Sequence, residues 1–268
     1  MLMDTVYEFD FASLEAMLRS FLWPLFRISS MFMSMVVIGS YIISKTKRVA
    51  LAFLMTMVVA PVLPDMPVVE LISFKAAIIT MQQILIGLAV GFVSRLIFET
   101  FIVGGQVVAM SSGLGFARIN DPSSGVSVPA VGQFFLMIAT LVFLAIDGHL
   151  IMFEIIVKSF FTLPVSETGL PMTSLVKLIN FAGLMFSAGL MMALSAVISL
   201  LMVNLSFGIL TKVAPTLNIF AVGFPIILTF GLIILWLTIG GFLPHFNQQF
   251  DRGQTTMCSM VMEECGNG

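Results

Sequence analysis

The chain has 268 residues, 59% of them hydrophobic and 10% charged, with a mean hydropathy of +1.11. Soluble domains carry about 25% charged residues, so the composition excludes an ordinary soluble domain and points to an integral membrane protein or a member of a very apolar assembly. A net charge of −2, with no basic stripe to track phosphates, gives no ground for nucleic acid as a partner.

The N-terminus is acidic (Asp4, Glu8, Asp10) and lacks the basic region of a signal peptide, so the first apolar segment is expected to be retained. Asp10 suits a cap for a helix starting at Phe11. Glu15, Arg19, Trp23 and Arg27 fall four apart and share one helix face. Pro24 is expected to kink or restart that helix. Arginines inside an apolar segment pair or snorkel to the interface. Residues 44–48, SKTKR, form the one dense basic cluster and mark a cytoplasmic loop. The apolar run 49–62 ends in a proline turn, PVLPDMP, at 61–67. Asp65 and Glu70 there, with no Lys or Arg before Lys75, place that turn on the outer side.

Residues 74–103 read as one long helix. Gly87 and Gly91 give it a G-x-x-x-G spacing that lets another helix approach closely. Arg95 and Glu99, four apart, are placed to neutralise each other. The stretch 104–133, GGQVVAMSSGLGFARINDPSSGVSVPAVGQ, is polar and glycine-rich between apolar runs. Pro122 and Pro129 block a continuous helix there. Irregular backbone at membrane depth is tolerated only where protein surrounds it or water fills a cavity, so this loop is the predicted functional element of an assembly or pore.

The next apolar run, 134–146, ends at Asp147-Gly148-His149. That triplet reads as a helix-end turn rather than a base with its orienter. Glu154 and Lys158 form another four-residue pair, and 164–171 reads as a loop. From Met172 to Val213 there is no proline. One helix of that length would measure about 60 Å, roughly twice a bilayer core. Either it folds into a hairpin, with Gly183, Gly189 or Asn204 as breaks, or much of it stands among protein. The last apolar block, 217–243, contains Pro225 and Gly231 and ends at Gly240-Gly241. Beyond His245 the chain turns polar, and 252–268 is expected to be a flexible tail. Cys258 and Cys265 lie in that tail and make neither a disulfide framework nor a zinc site.

No motif for catalysis, cofactor or metal emerges. Gly113-Leu114-Gly115 begins like a dinucleotide fingerprint, but Arg118 stands where the third glycine belongs and no strand precedes it. The reading is a structural or conducting component. A secondary transporter would need paired repeats, interrupted helices and a polar midplane site. An intramembrane enzyme would need convergent acid, base or metal groups.

Three ordered stretches carry a resemblance: GFARINDPSSGVSVPAVGQFF at 115–135, FLAIDGHLIMFEIIVKSFFTLP at 143–164 and FGILTKVAPTLNIFAVGFPIIL at 207–228. Together they resemble the FliR family of the bacterial flagellar type III export apparatus, over roughly residues 10–251. Thr216 departs from the glutamine common in that family, and 252–268 matches no family pattern. A homologous component of a virulence injectisome is the nearest alternative.

The resemblance implies an all-α fold of integral-membrane-type helical hairpins, about six apolar segments, in one domain over 1–251. It implies a bacterial inner-membrane, multi-pass protein of the flagellar basal body, without enzyme activity or cofactor. The implied partners are FliP-like and FliQ-like gate subunits, FlhB-like and FlhA-like proteins, the basal-body ring, membrane lipid, and secreted flagellar subunits in transit. The central glycine-rich loop would then be a luminal plug. Met110, Leu114, Phe116 and Ile119 would fill the closed channel, Gly113, Gly115 and Gly125 would let the loop swing aside, and Asp121-Pro122 would turn it. Gly87, Gly91, Pro215, Asn218, Phe220, Gly223 and Pro225 are read as packing and assembly positions, with Pro215 and Pro225 bending a helix.

Overall fold

The computed structural model describes residues 11–40, 43–116, 118–120, 127–213 and 219–262. Among these residues it is all-α apart from one small antiparallel strand pair. The helices are α1 (Phe11–Ser34), α2 (Lys45–Val59), α3 (Phe74–Ser111), α4 (Ala130–Ala145), α5 (Gly148–Thr162), α6 (Met172–Val213), α7 (Ile219–Ile239) and α8 (Phe242–Val261). The strands are β1 (Arg118–Asn120) and β2 (Ser127–Pro129).

Helix α3 is the axis. It packs on α1, α4, α6 and α8, and its buried residues run from Ala76 to Ala109 around every side. Ser73 starts it, accepting a hydrogen bond from the Ala76 N–H at 3.1 Å. Small residues set how closely its neighbours come. A Cβ at Gly189 of α6 would stand 2.8 Å from the Thr100 carbonyl of α3, and one at Gly105 would meet the Phe135 ring of α4 at 2.6 Å.

The face predicted on α1 is the buried one: Trp23 and Arg27 point inward, and Arg19 is nearly buried. Pro24 does not restart the helix. The burial of Trp23, Ile28 and Met31 around it offsets the roughly 3 kcal/mol a helix-interior proline costs.

Three further points are decided. Of the two alternatives for 172–213 the hairpin falls: α6 is a single 42-residue helix, and none of the candidate breaks is used. Gly183 lies in open space, and Gly189 serves the α3 contact instead. The count of about six membrane segments also falls. Among the described residues two helices, α3 and α6, are long and apolar enough to cross a bilayer, or there are four spans if the bent pairs α4–α5 (66°) and α7–α8 (55°) each count once. Helices α2, α4 and α5 have 15, 16 and 15 residues, short of the roughly 20 a span needs.

The flexible tail is the third point and is corrected, since 252–261 is the second half of α8. Phe242, Phe246, Phe250, Met257 and Met260 recur at three- to seven-residue steps and are buried. That is an amphipathic stripe, which a reading by polar composition overlooks. The phenylalanine rings meet those of Phe101, Phe135 and Phe143 at centroid distances of 4.8 to 5.9 Å. The end of α8 is then clamped. Its carbonyls at Val261, Met260 and Ser259 accept from Thr162 Oγ1 (2.5 Å), Ser174 Oγ (2.9 Å) and Lys177 Nζ (2.6 Å). These are the acceptors a helix C-terminus leaves without intrahelical partners. Cys258 in this helix is disulfide-bonded.

Candidate functional site

The helices on either side reach further into the predicted loop than its composition suggests. Helix α3 continues through Gly104, Gly105 and Met110 to Ser111 because both glycines are used for packing. Gly113 ends it with φ +75°, a left-handed conformation that glycine adopts without steric cost. One 3-10 turn, Leu114–Phe116, follows, and then β1 pairs with β2 in the register Arg118↔Pro129, Ile119↔Val128, Asn120↔Ser127. Pro129 opens α4. Helix α3 thus runs to Ser111 and α4 begins at Ala130, which leaves 112–129 between them rather than 104–133.

Met110, at the last turn of α3, is 76% exposed, whereas Leu114 and Gly115 are half-buried. The 3-10 turn folds back on the helix, so a Cβ at Gly115 would touch the Met110 backbone at 3.4 Å. The backbones of Phe116 and Ile119 lie in the turn and in β1, but their side chains fall outside what the structure describes. Asp121, Pro122 and Gly125 lie outside the described residues.

Helix α7 runs along this exit. Phe224 and Leu228 approach within 3.8 and 3.9 Å of where a Gly113 side chain would begin, and a Cβ at Gly231 would meet Ser112 at 2.6 Å. Gly113 of the predicted loop and Phe224 of the 215–225 block are therefore neighbours. Gly223 is buried and Pro225 exposed, both within α7. Pro215 and Asn218 lie outside the described residues, as does the side chain of Phe220.

Gly87 and Gly91 serve packing inside the chain. A Cβ at Gly87 would overlap the Arg27 carbonyl and Ser30 Oγ, and one at Gly91 would overlap Ser34 Oγ. The spacing that lets helices approach seats α1 on α3 here.

That contact encloses a group whose partners the sequence did not disclose. Arg19 pairs as expected, with Glu15 at 3.6 Å, and also donates to the Val69 carbonyl at 2.9 Å. Arg27 neither pairs nor snorkels. It is 0% exposed. Its Nε donates to Gln83 Oε1 on α3 at 2.7 Å. Its Nη1 donates to the Ser159 carbonyl and Oγ, both at 3.0 Å, and its Nη2 to the Leu163 carbonyl at 3.0 Å. The guanidinium carbon sits 4.1 Å from the centroid of the Phe160 ring.

A buried charge needs compensation. Here it comes from the C-terminus of α5, where the helix dipole presents about half a negative charge and carbonyls lack intrahelical partners. Arg27 therefore acts as a C-terminal cap supplied by another helix, tying α1, α3 and α5 together. The readable signal was an arginine on the buried stripe with no acid four residues away. Gln83, Ser159 and Leu163 carry no signal of their own.

The helix-end turn expected at Asp147-Gly148-His149 falls at Ile146-Asp147, and Gly148 and His149 open α5. Asp147 adopts φ +55° and makes no side-chain cap, and His149 packs between the rings of Phe143 and Phe153. Among the described residues no group of three His, Cys, Asp or Glu is placed to hold a metal. The ion pairs Arg95–Glu99 (3.7 Å) and Glu154–Lys158 form as predicted and are largely exposed, so each is worth under about 1 kcal/mol.

Comparison with known proteins places this architecture. Residues 18–253 match the family described as bacterial export proteins, family 1. The chain is 37% identical over 235 residues to the flagellar biosynthetic protein FliR of Pectobacterium carotovorum subsp. carotovorum, covering 86% of this chain and 90% of that one. It is 35% identical over 220 residues to the FliR of Escherichia coli K12, covering 81% and 83%. The FliR of Bacillus subtilis 168 is 26% identical over 220 residues, covering 81% and 84%.

Proposed function

Since this chain belongs to the FliR family of bacterial export proteins, we propose that it is a subunit of the flagellar export gate in the inner membrane. In this reading it joins FliP-like and FliQ-like subunits in the wall of a channel for unfolded flagellar proteins, next to FlhB-like and FlhA-like proteins and within the basal-body ring. The likeness to flagellar relatives favours a flagellar over an injectisome gate.

One observation carries the reading. Exposed apolar side chains continue along α6 from Leu175 to Val213. That run rises about 57 Å at 1.5 Å per residue, against a bilayer hydrocarbon core of about 30 Å. Lipid cannot cover it, so protein neighbours must. No residue of α6 after Leu200 is described as buried, and Phe224, Leu232, Trp236 and Leu237 of α7 are exposed beside it. A transporter acting alone would leave this surface bare.

Within the gate, the segment leaving α3 is the plug. Met110 stands free at the helix end, and methionine repacks readily around varied chains. Gly113 supplies the reversal about which Leu114, Gly115 and Phe116 swing. Met110, Leu114, Phe116 and Ile119 fill the closed lumen, Gly125 lends freedom to the far side, and Asp121-Pro122 turns the loop. Co-expression with FliP-like and FliQ-like subunits should give one discrete complex. A monodisperse solitary chain, unchanged by those partners, would remove the gate reading. Deleting 110–118 should leave the complex intact and raise leak of small solutes across the membrane. Unchanged leak in an assembled deletion complex would remove the plug.

A further inference from the structure

We propose that the far end of α8 lies on the outer, oxidising side of the bacterial inner membrane, and that a disulfide between Cys258 and Cys265 closes it there. The inference rests on the chain lying in that membrane, and not on the plug or on the identity of its gate partners.

Cys258 is half-buried in the last turn of α8 and disulfide-bonded. Cys265 is the chain's other cysteine. Cytosolic thiols are kept reduced, whereas disulfides persist in the periplasm. A bonded Cys258 therefore reports which side of the membrane it is on. The charges report the same side independently.

The end of α8 is tied to one end of the helix bundle. The carbonyls of Ser259, Met260 and Val261 accept from Lys177 and Ser174 at the start of α6 and from Thr162 at the end of α5. Glu167, between those two helices, pairs with Lys75 at the start of α3 at 3.4 Å. The 61–73 segment leads into α3 at this same end. Arg19 of α1 donates to its Val69 carbonyl, and Glu15 accepts from its Leu71 N–H at 3.1 Å. The segment carries Asp65 and Glu70 and no lysine or arginine.

The basic cluster Lys45, Lys47 and Arg48 lies at the other end of α1. Ser34, the last residue of α1, meets α3 at Gly91, and Arg48 donates to the Ser40 carbonyl beyond it. From Lys75 to Gly91 α3 rises about 24 Å, most of a hydrocarbon core of about 30 Å. Basic clusters mark the cytoplasmic side, so the end of α8 faces outward.

Closing the bond removes two electrons and two protons from the two thiols. They pass to an oxidised dithiol protein of the periplasm, whose own disulfide becomes two thiols. The last helical bond of α8 runs from the Met262 N–H to the Cys258 carbonyl at 2.7 Å. Chain ends fray unless tied down, and the disulfide ties this one, keeping the three clamped carbonyls in place.

Cells making the full chain with its co-expressed partners are acid-quenched, denatured and treated with a polyethylene-glycol maleimide. The chain should take no label before reduction and two labels after it. In a strain lacking its periplasmic thiol oxidase it should take two labels without reduction. In spheroplasts a membrane-impermeant phosphine should open the bond, and an impermeant maleimide should then label both cysteines. Two labels on the unreduced chain, or a bond that only a permeant reductant opens, overturns the proposal. Amide exchange at 257–262 should be at least tenfold faster in the reduced chain. Equal exchange overturns the role in holding the helix end. Labelling is read on the denatured chain and assembly on the native complex, so failure of the gate reading is not confused with failure of this one.

Discussion

Replacing Arg27 by methionine tests whether the buried guanidinium holds the bundle together. The substitution keeps most of the side-chain volume and removes the charge. It strips Gln83 Oε1 and the Leu163 carbonyl of the donors at 2.7 and 3.0 Å. The Ser159 carbonyl keeps the Leu163 N–H at 2.9 Å, so it is not orphaned. The buried Gln83 acceptor without a donor costs about 1–3 kcal/mol, and the part-buried Leu163 carbonyl adds less. Relief of the buried charge offsets part of that. The expected net loss is about 1–3 kcal/mol, or a fall of roughly 2–12 °C in thermal midpoint for a chain of this size. Gln83→Leu added to Arg27→Met removes one orphan and should recover about 1–2 kcal/mol. Arg27→Lys keeps the charge but cannot make the forked set of bonds or the ring stack, and should rescue only partly. The assay is thermal unfolding of the detergent-solubilised chain, followed by intrinsic fluorescence. An Arg27→Met chain within about 0.5 kcal/mol of the parent would refute the capping argument.

Gly87→Val drives a branched side chain into the Arg27 carbonyl and Ser30 Oγ, and should cut the yield of folded protein by the 1–3 kcal/mol or more that overpacking costs. Gly183→Ala, in open space on α6, should be neutral or stabilising by about 0.5–1 kcal/mol in the same expression assay. Truncation after Asp251 removes the buried Met257, Met260 and Val261 and the three carbonyls clamped by α5 and α6, so protease cleavage should appear at 162–172 and the thermal midpoint should fall by several degrees. A truncated chain as resistant as the parent would return that segment to the status of a loose tail.

The residues themselves settled the fold class. A chain with 10% charge and long apolar runs satisfies its backbone internally as helices, whatever its neighbours are. Local spacing was enough for the shared face of α1, the ion pairs at four-residue steps, the close approach at Gly87 and Gly91, and the helix-end turn before Gly148, because each depends on helix geometry alone. The motif order pointed to the family that the comparisons identify.

Tertiary structure decided what depends on partners far apart in the chain. Whether 172–213 folds back or runs straight rests on whether its glycines are needed for contact, and Gly189 seats α6 against the Thr100 carbonyl of α3. Arg27 could be recognised as unusual, but not supplied with Gln83, Ser159 and Leu163, which lie 56 to 136 residues away. The 252–261 segment looked loose by composition and is anchored by aromatic contacts and by hydroxyls from α5 and α6. Pattern along a sequence reports which face of a helix avoids water; which other helix meets that face is set by packing across the whole fold.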